Sequence, residues 1–164
     1  MRRLLPQGTP ASEVAIAGAY LLFGLGALGY LRILGPAWVL IALVPTWAAD
    51  VTSYAFGSRF GTTRIAPRIS PGKTLEGTVA GFVVAALTAF GACVIAGVSP
   101  LATFVIALSV GPVALAGDLV ESAVKRSAGV KDSGALLPGH GGVLDRIDSL
   151  LLVAPLVAFA SRLP

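Results

Sequence analysis

The sequence predicts an all-α, polytopic membrane helical bundle, because it is poor in charge and contains five long apolar runs. Hydrophobic residues make up 55% of the 164 residues and charged residues only 12%, whereas soluble domains contain about 25% charged residues. A helix of about 20 apolar residues spans a bilayer because it satisfies its own backbone hydrogen bonds. We therefore expect one domain over residues 1–164, with about five transmembrane helices. The runs lie at 12–34, 36–56, 76–97, 100–120 and 144–163.

The first two runs are separated by a short turn. The first run follows Arg2 and Arg3, but it is longer than the apolar core of a signal peptide, so we expect a retained spanning helix. Gly35-Pro36 ends this helix and starts the second. The second helix contains Asp50, and a lipid-exposed carboxylate at that depth is costly. Asp50 is therefore expected to face the bundle interior or a wetted site near the membrane surface.

A basic loop is expected at 57–74, before the third helix. Its Gly, Pro and hydroxyl residues predict irregular structure, with Pro71-Gly72 forcing the turn into the helix. Ser70 and Lys73 precede the helix N-terminus, where backbone N–H groups favour an anion. Glu76 is either a favourable helix-start carboxylate or a functional group.

The distribution of basic residues predicts the topology. With the N-terminus in the cytoplasm, every Lys and Arg except Arg32 and Arg162 falls in a cytoplasmic segment. The positive-inside bias therefore predicts an N-in, C-out protein of the cell (plasma) membrane, with its polar loops and active site facing the cytoplasm. Nucleic acid is not expected as a partner, because no aromatic platform is interleaved with the basic residues.

Charged residues concentrate where the fourth helix ends and the fifth begins. Asp118, Ser122 and Lys125 lie on one helical face if the fourth helix continues past Asp118. Asp145 and Asp148 share a face at the start of the fifth helix, which an antiparallel arrangement brings opposite Asp118. Converging carboxylates favour Mg²⁺ or another hard cation. The alternative is a solvated network of ion pairs with the neighbouring lysines and arginines.

A glycine-rich stretch precedes the aspartate pair. His140-Gly141-Gly142 allows backbone N–H groups to approach a phosphate closely. His140 itself either donates a hydrogen bond to phosphate or pyrophosphate, or is a turn histidine bonded to local backbone.

The charged segment contains a long motif with fixed spacing. It reads Ser122-x-Val124-Lys125-Arg126, Lys131-Asp132-x-Gly134 and Pro138-x-His140-Gly141-Gly142-Val143-x-Asp145-Arg146-Ile147-Asp148. Upstream stand Asp50, Tyr54, Gly57 and Gly61, and the run from Ile69 to Gly77. Together these residues resemble the signature of the phosphatidate cytidylyltransferases (CDP-diacylglycerol synthases), and the resemblance covers about residues 45–164.

The resemblance implies transfer of CMP from CTP to phosphatidic acid, which yields CDP-diacylglycerol and pyrophosphate for phospholipid biosynthesis. It implies Mg²⁺ as the cofactor, held by Asp118, Asp145 and Asp148, and leaves a second cation open. Lys125 and Arg126 match positions that hold phosphates, and with Asp145 and Asp148 they form the expected catalytic set. The expected substrate-binding residues are Ser70, Lys73, Ser122, Lys131, His140, Gly141, Gly142 and Arg146.

The same residues are also compatible with other functions. Asp50 and the helix-breaking Gly111-Pro112 would also suit a transporter, although the densest polar cluster lies at one membrane face rather than at the midplane. Members of the family usually have further N-terminal helices, so the chain is a compact homologue or a truncated, non-catalytic one. Small residues in the helices permit close packing and leave a homodimer open; they are Gly18, Gly24, Gly77 and Gly81.

Overall fold

The computed structural model describes residues 11–127, 129–130 and 147–164, with side chains from residue 18 onward. This part of the chain forms five helices and one two-stranded hairpin. The helices are α1 (Ala11–Leu34), α2 (Pro36–Phe60), α3 (Leu75–Ile95), α4 (Pro100–Ser127) and α5 (Asp148–Ala160). The strands are β1 (Arg64–Ala66) and β2 (Ser70–Thr74).

The predicted helical bundle is confirmed, and the helix bounds lie close to the apolar runs. Gly35 separates α1 from α2 with a φ of 137°, a conformation that glycine adopts far more readily than other residues. The expected start of the fifth helix at 144 lies outside the described residues. Among the residues with described side chains, α2, α3 and α4 are long and apolar enough to cross a membrane, and shorter apolar stretches lie at Gly18–Leu34 of α1 and at Asp148–Ala160. Five spans and the N-in topology therefore stay predictions.

The region 57–74 is not the irregular loop that its composition predicted. α2 continues to Phe60, and β1 then pairs antiparallel with β2, with Arg64 opposite Thr74 and Ala66 opposite Ser70. The turn lies at residues 67–69, so Pro71-Gly72 is inside β2 rather than at a turn into the helix. Proline is tolerated there because every strand of a two-stranded sheet is an edge strand.

The helices pack through small side chains, and many large apolar side chains point outward. Ala85, Ala89 and Ala154 are fully buried. Among the large hydrophobic residues, Ile33 is 84% exposed and Leu87 is 67% exposed. Small residues inside and large apolar residues outside are typical of helices that pack against one another in lipid.

Three of the small residues singled out in the sequence lie at contacts within the chain. A Cβ at Gly77 or Gly81 would meet α2 at Ser53, and a Cβ at Gly24 would lie 2.7 Å from the Leu151 carbonyl oxygen of α5. Gly18 has open space around it. These glycines therefore allow close helix contacts inside the protomer, and a homodimer stays a prediction.

Candidate active site

A cleft of about 860 Å³ lies where α2, β2, α4 and the start of α5 meet. The polar half of α2 forms one wall, and β2 forms another. Its polar lining residues are Asp50, Ser53, Tyr54, Ser58, Ser70, Lys73, Thr74, Thr78, Asp118, Lys125 and Asp148. The cleft therefore gathers three carboxylates and two ammonium groups that are far apart in the sequence.

Asp118 has a partner on each carboxylate oxygen. The Lys73 ammonium forms an ion pair with Oδ2, and the Ser122 hydroxyl donates a hydrogen bond to Oδ1 over 3.2 Å. The Lys73 and Asp118 side chains are 19% and 23% exposed. Ser122 lies one turn after Asp118, as the predicted helical face requires. The expected placement of Asp118 and Ser122 on one helical face is therefore present, and the ion pair from Lys73 of β2 is an addition that the sequence analysis did not predict.

Lys125 lines the cleft one turn beyond Ser122, and it has a partner that the sequence analysis missed. Its ammonium forms an ion pair with Glu121, whose side chain is only 3% exposed. Glu121 could have been suspected as a carboxylate in a largely apolar helix. Because a buried charge requires a partner, Glu121 fixes where the Lys125 ammonium lies.

Asp148 is the first residue of α5 and lies across the cleft from α4. Its backbone carbonyl accepts a hydrogen bond from the Tyr20 hydroxyl of α1 over 3.0 Å, and its Oδ1 accepts one from the Ser149 N–H over 2.6 Å. On the α4 side, a Cβ at Gly117 would lie 2.9 Å from the Asp148 carbonyl oxygen. Contacts from α1 and α4 thus hold the start of α5, and Asp118 and Asp148 line one cleft as expected.

Asp50 lines the same cleft from α2. This placement agrees with the expectation that its carboxylate avoids lipid. The side chain is half-buried, and it adds a third acidic group to those of Asp118 and Asp148. The sequence left open whether Asp50 is functional, and the fold places it in the same cleft as Asp118 and Asp148.

The hairpin is held on the bundle at its base. The Glu76 carboxylate accepts hydrogen bonds from the Thr62 hydroxyl over 2.6 Å and from the Thr63 N–H over 3.2 Å. Thr74 caps α3 by accepting from the Gly77 N–H over 3.3 Å. These contacts support the structural interpretation of Glu76. They also fix the backbone of β2 beside the cleft.

Arg126 does not line the cleft. Its Nε–H donates to the Ile69 carbonyl over 3.3 Å, and Nη1 donates to the Val130 carbonyl over 3.4 Å. The side chain is exposed and joins the end of α4 to the turn of the hairpin. Direct contact of Arg126 with a phosphate stays a prediction, and the structure shows Arg126 supporting the strand that contains Ser70 and Lys73.

Six predicted site residues lie outside the described part of the chain. They are Lys131, His140, Gly141, Gly142, Asp145 and Arg146. Within residues 11–127, 129–130 and 147–164, no three His, Cys, Asp or Glu side chains form a group that could hold a metal ion. The predicted trio includes Asp145, so it stays a prediction. Carboxylate oxygens from Asp118 and Asp148 fit a hard cation such as Mg²⁺, which commonly takes one or two carboxylates and completes its shell with water and phosphate.

Comparison with known proteins agrees with the family suggested by the motifs. The sequence model of the cytidylyltransferase family matches residues 11–163, nearly the whole chain. The chain belongs to the cytidylyltransferase family. The match extends upstream of residue 45, where the recognisable motifs begin, and includes α1, whose Tyr20 contacts the backbone of Asp148.

Several curated relatives of the chain are named phosphatidate cytidylyltransferase. The protein of Thermotoga maritima is 46% identical over 131 residues, which cover 76% of this chain and 48% of the relative. That of Haemophilus influenzae is 44% identical over 128 residues, covering 74% and 44%. That of Brucella abortus is 40% identical over 157 residues, covering 92% and 56%. The chain thus spans about half the length of the curated relatives it matches.

Proposed function

We propose that this cytidylyltransferase transfers CMP from CTP to phosphatidic acid, giving CDP-diacylglycerol and pyrophosphate. The observation that carries the proposal is the cleft, which combines Asp50, Asp118 and Asp148 with two ammonium groups in a bundle of membrane-type helices. Both proposed substrates are phosphate anions, and one of them is a lipid. Relatives named for the same activity support the proposal.

The reaction requires alignment and charge neutralisation rather than a protein base. A phosphate oxygen of phosphatidic acid attacks the α-phosphorus of CTP, the bond from that phosphorus to the bridging oxygen breaks, and pyrophosphate leaves. Because the attacking oxygen is already anionic, no residue has to remove a proton from it. The main barriers are repulsion between two anions and the entropy of bringing them together.

The lining residues can supply both requirements. Lys73 and Lys125 would hold phosphate oxygens of CTP or of the lipid. Asp118 and Asp148 would hold Mg²⁺, together with Asp145 from outside the described residues. When bound, Mg²⁺ would neutralise charge on the phosphates. The negative charge of the Asp50 carboxylate would help to hold Mg²⁺ and the lysine ammonium groups inside the cleft.

We propose a multi-pass location in the cell membrane with the cleft on the cytoplasmic side. Three described helices are long and apolar enough to span, and the basic residues cluster in the segments that this orientation places in the cytoplasm. CTP would then enter from the cytosol, and phosphatidic acid would enter from the bilayer.

The direct test is an assay of the purified chain with CTP, phosphatidic acid and Mg²⁺ in mixed micelles. We expect CDP-diacylglycerol and pyrophosphate to form in equal amounts. A chelator should abolish both products, and added Mg²⁺ should restore them, because the ammonium groups of Lys73 and Lys125 alone cannot offset the charge of two anionic substrates. The Asp118→Asn variant, purified in parallel, gives the background. Absence of product with Mg²⁺ and with Mn²⁺, from protein that is folded, would contradict the proposal.

Gly117→Ala should lower activity by displacing the start of α5. The added Cβ would lie 2.9 Å from the Asp148 carbonyl oxygen and 2.9 Å from the Ser149 Cα, and these backbone atoms cannot rotate away. We expect turnover to fall about tenfold or more, because small displacements of a catalytic group are costly. The matched control is Gly91→Ala, where a Cβ meets no atom within 4 Å. Equal rates for the two variants would show that the Gly117 contact does not position Asp148.

A further inference from the structure

Lys73 occupies the carboxylate that the proposed reaction needs for its cation. Its ammonium is paired with Oδ2 of Asp118, and the Ser122 hydroxyl is bonded to Oδ1. Each oxygen of the Asp118 carboxylate therefore already has one protein partner. A divalent cation on Asp118 would lie beside the Lys73 ammonium, and the two positive charges would repel each other.

We propose that Lys73 is an exchangeable counter-ion: it pairs with Asp118 in the metal-free protein, leaves when a divalent cation binds, and then holds a substrate phosphate. This inference rests on the proposed function, since it assigns Asp118 to the cation and Lys73 to a phosphate. It adds an order of events to that function. Lys73 becomes available to the nucleotide only once Asp118 has taken up its cation.

The surroundings of Lys73 suit a side-chain movement over a fixed backbone. β2 is paired with β1, and the next residue, Thr74, caps α3, so the main chain at position 73 is anchored. The side chain itself is flexible, with its charge on a four-carbon stem. The preceding residue, Gly72, also lines the cleft. A Cβ added at Gly72 would have no other atom within 4 Å. There is therefore room next to Lys73 for a phosphate.

Lys125 provides an internal comparison within the same cleft. Its ion pair is with Glu121, one helical turn away on α4. Glu121 is not among the residues that line the cleft. A cation that binds Asp118 should therefore displace Lys73 and leave the Lys125–Glu121 pair in place. The exchange predicts that the two lysines respond differently to the same metal.

Competitive acetylation of lysines, read by mass spectrometry, tests the exchange without any turnover. We expect Mg²⁺, added to the full chain without nucleotide, to make Lys73 acetylation about fivefold faster, since loss of a partly exposed ion pair worth about 1 kcal/mol corresponds to this factor. Acetylation of Lys125 should accelerate by less than about half of the factor found for Lys73. CTP added with Mg²⁺ should protect Lys73 again. In the Asp118→Asn variant, Lys73 should be acetylated at the faster rate without Mg²⁺, and added Mg²⁺ should not change that rate.

The outcomes separate the exchange from the proposed reaction. If the chain makes CDP-diacylglycerol and Mg²⁺ leaves Lys73 acetylation unchanged, the exchange is overturned and the reaction stands. If Mg²⁺ exposes Lys73 but no product forms, the exchange is supported and the reaction is overturned. Equal acceleration of Lys73 and Lys125 would indicate general loosening of the cleft, and it would also overturn the exchange.

Discussion

Asp118→Asn is expected to slow CDP-diacylglycerol formation at least about a hundredfold, the usual effect of deleting one preorganised electrostatic group. The substitution keeps the size of the side chain and an oxygen for the Ser122 hydroxyl. It removes the negative charge that would hold the cation. The rate should be measured at saturating CTP and Mg²⁺.

Two further measurements make this result specific. The melting temperature of Asp118→Asn should change little, because the Lys73–Asp118 pair is partly exposed and such pairs contribute about 1 kcal/mol or less. Ser122→Ala is the matched comparison, since it removes the hydrogen bond to Asp118 and keeps the negative charge of Asp118. It should lower the rate by no more than about tenfold, the effect of one hydrogen bond. A near-normal rate for Asp118→Asn would remove Asp118 from the site.

Gly77→Ala is expected to destabilise the protein and disrupt the cleft together. A Cβ at Gly77 would collide with the Ser53 carbonyl and lie 2.8 Å from the Gly57 Cα, both backbone contacts on α2. The two helices would have to separate, and overpacking of this kind costs about 1–3 kcal/mol. Because α2 contains Asp50 and α3 follows Lys73, the same separation should widen the cleft and reduce turnover. Thermal unfolding in micelles measures the first effect.

Gly91→Ala is again the matched control, because it makes the same change in the same helix. Its Cβ would meet no atom within 4 Å. Alanine is also the better helix former, by up to about 1 kcal/mol. We expect Gly91→Ala to melt at or above the temperature of the unsubstituted protein. If the Gly77→Ala and Gly91→Ala variants have the same melting temperature, the close approach of α2 and α3 does not contribute to stability.

The helices were predictable because a bilayer leaves little choice of secondary structure. Long apolar runs must satisfy their backbone groups internally, so α1 to α4 follow the runs closely. The helical face containing Asp118, Ser122 and Lys125 was equally predictable, since it depends only on spacing within one helix. Placing Asp118 and Asp148 in one cleft followed from the antiparallel packing of α4 and α5.

The hairpin and the partners of the lysines were not predictable from local sequence. Gly, Pro and hydroxyl residues in 57–74 indicate a loop, whereas the pairing of β1 with β2 is supported by Glu76, which bonds to Thr62 and Thr63. The ion pair between Lys73 and Asp118 joins β2 to α4. Such a contact depends on how the elements pack, and no spacing rule specifies it.

The most direct test is to locate Mn²⁺, used in place of Mg²⁺, by its anomalous scattering in crystals of the protein with a CTP analogue. The proposed site predicts a peak about 2 Å from carboxylate oxygens of both Asp118 and Asp148, with the Lys73 ammonium moved to a phosphate oxygen. A peak remote from both aspartates, or Lys73 still paired with Asp118 beside a bound nucleotide, would contradict it.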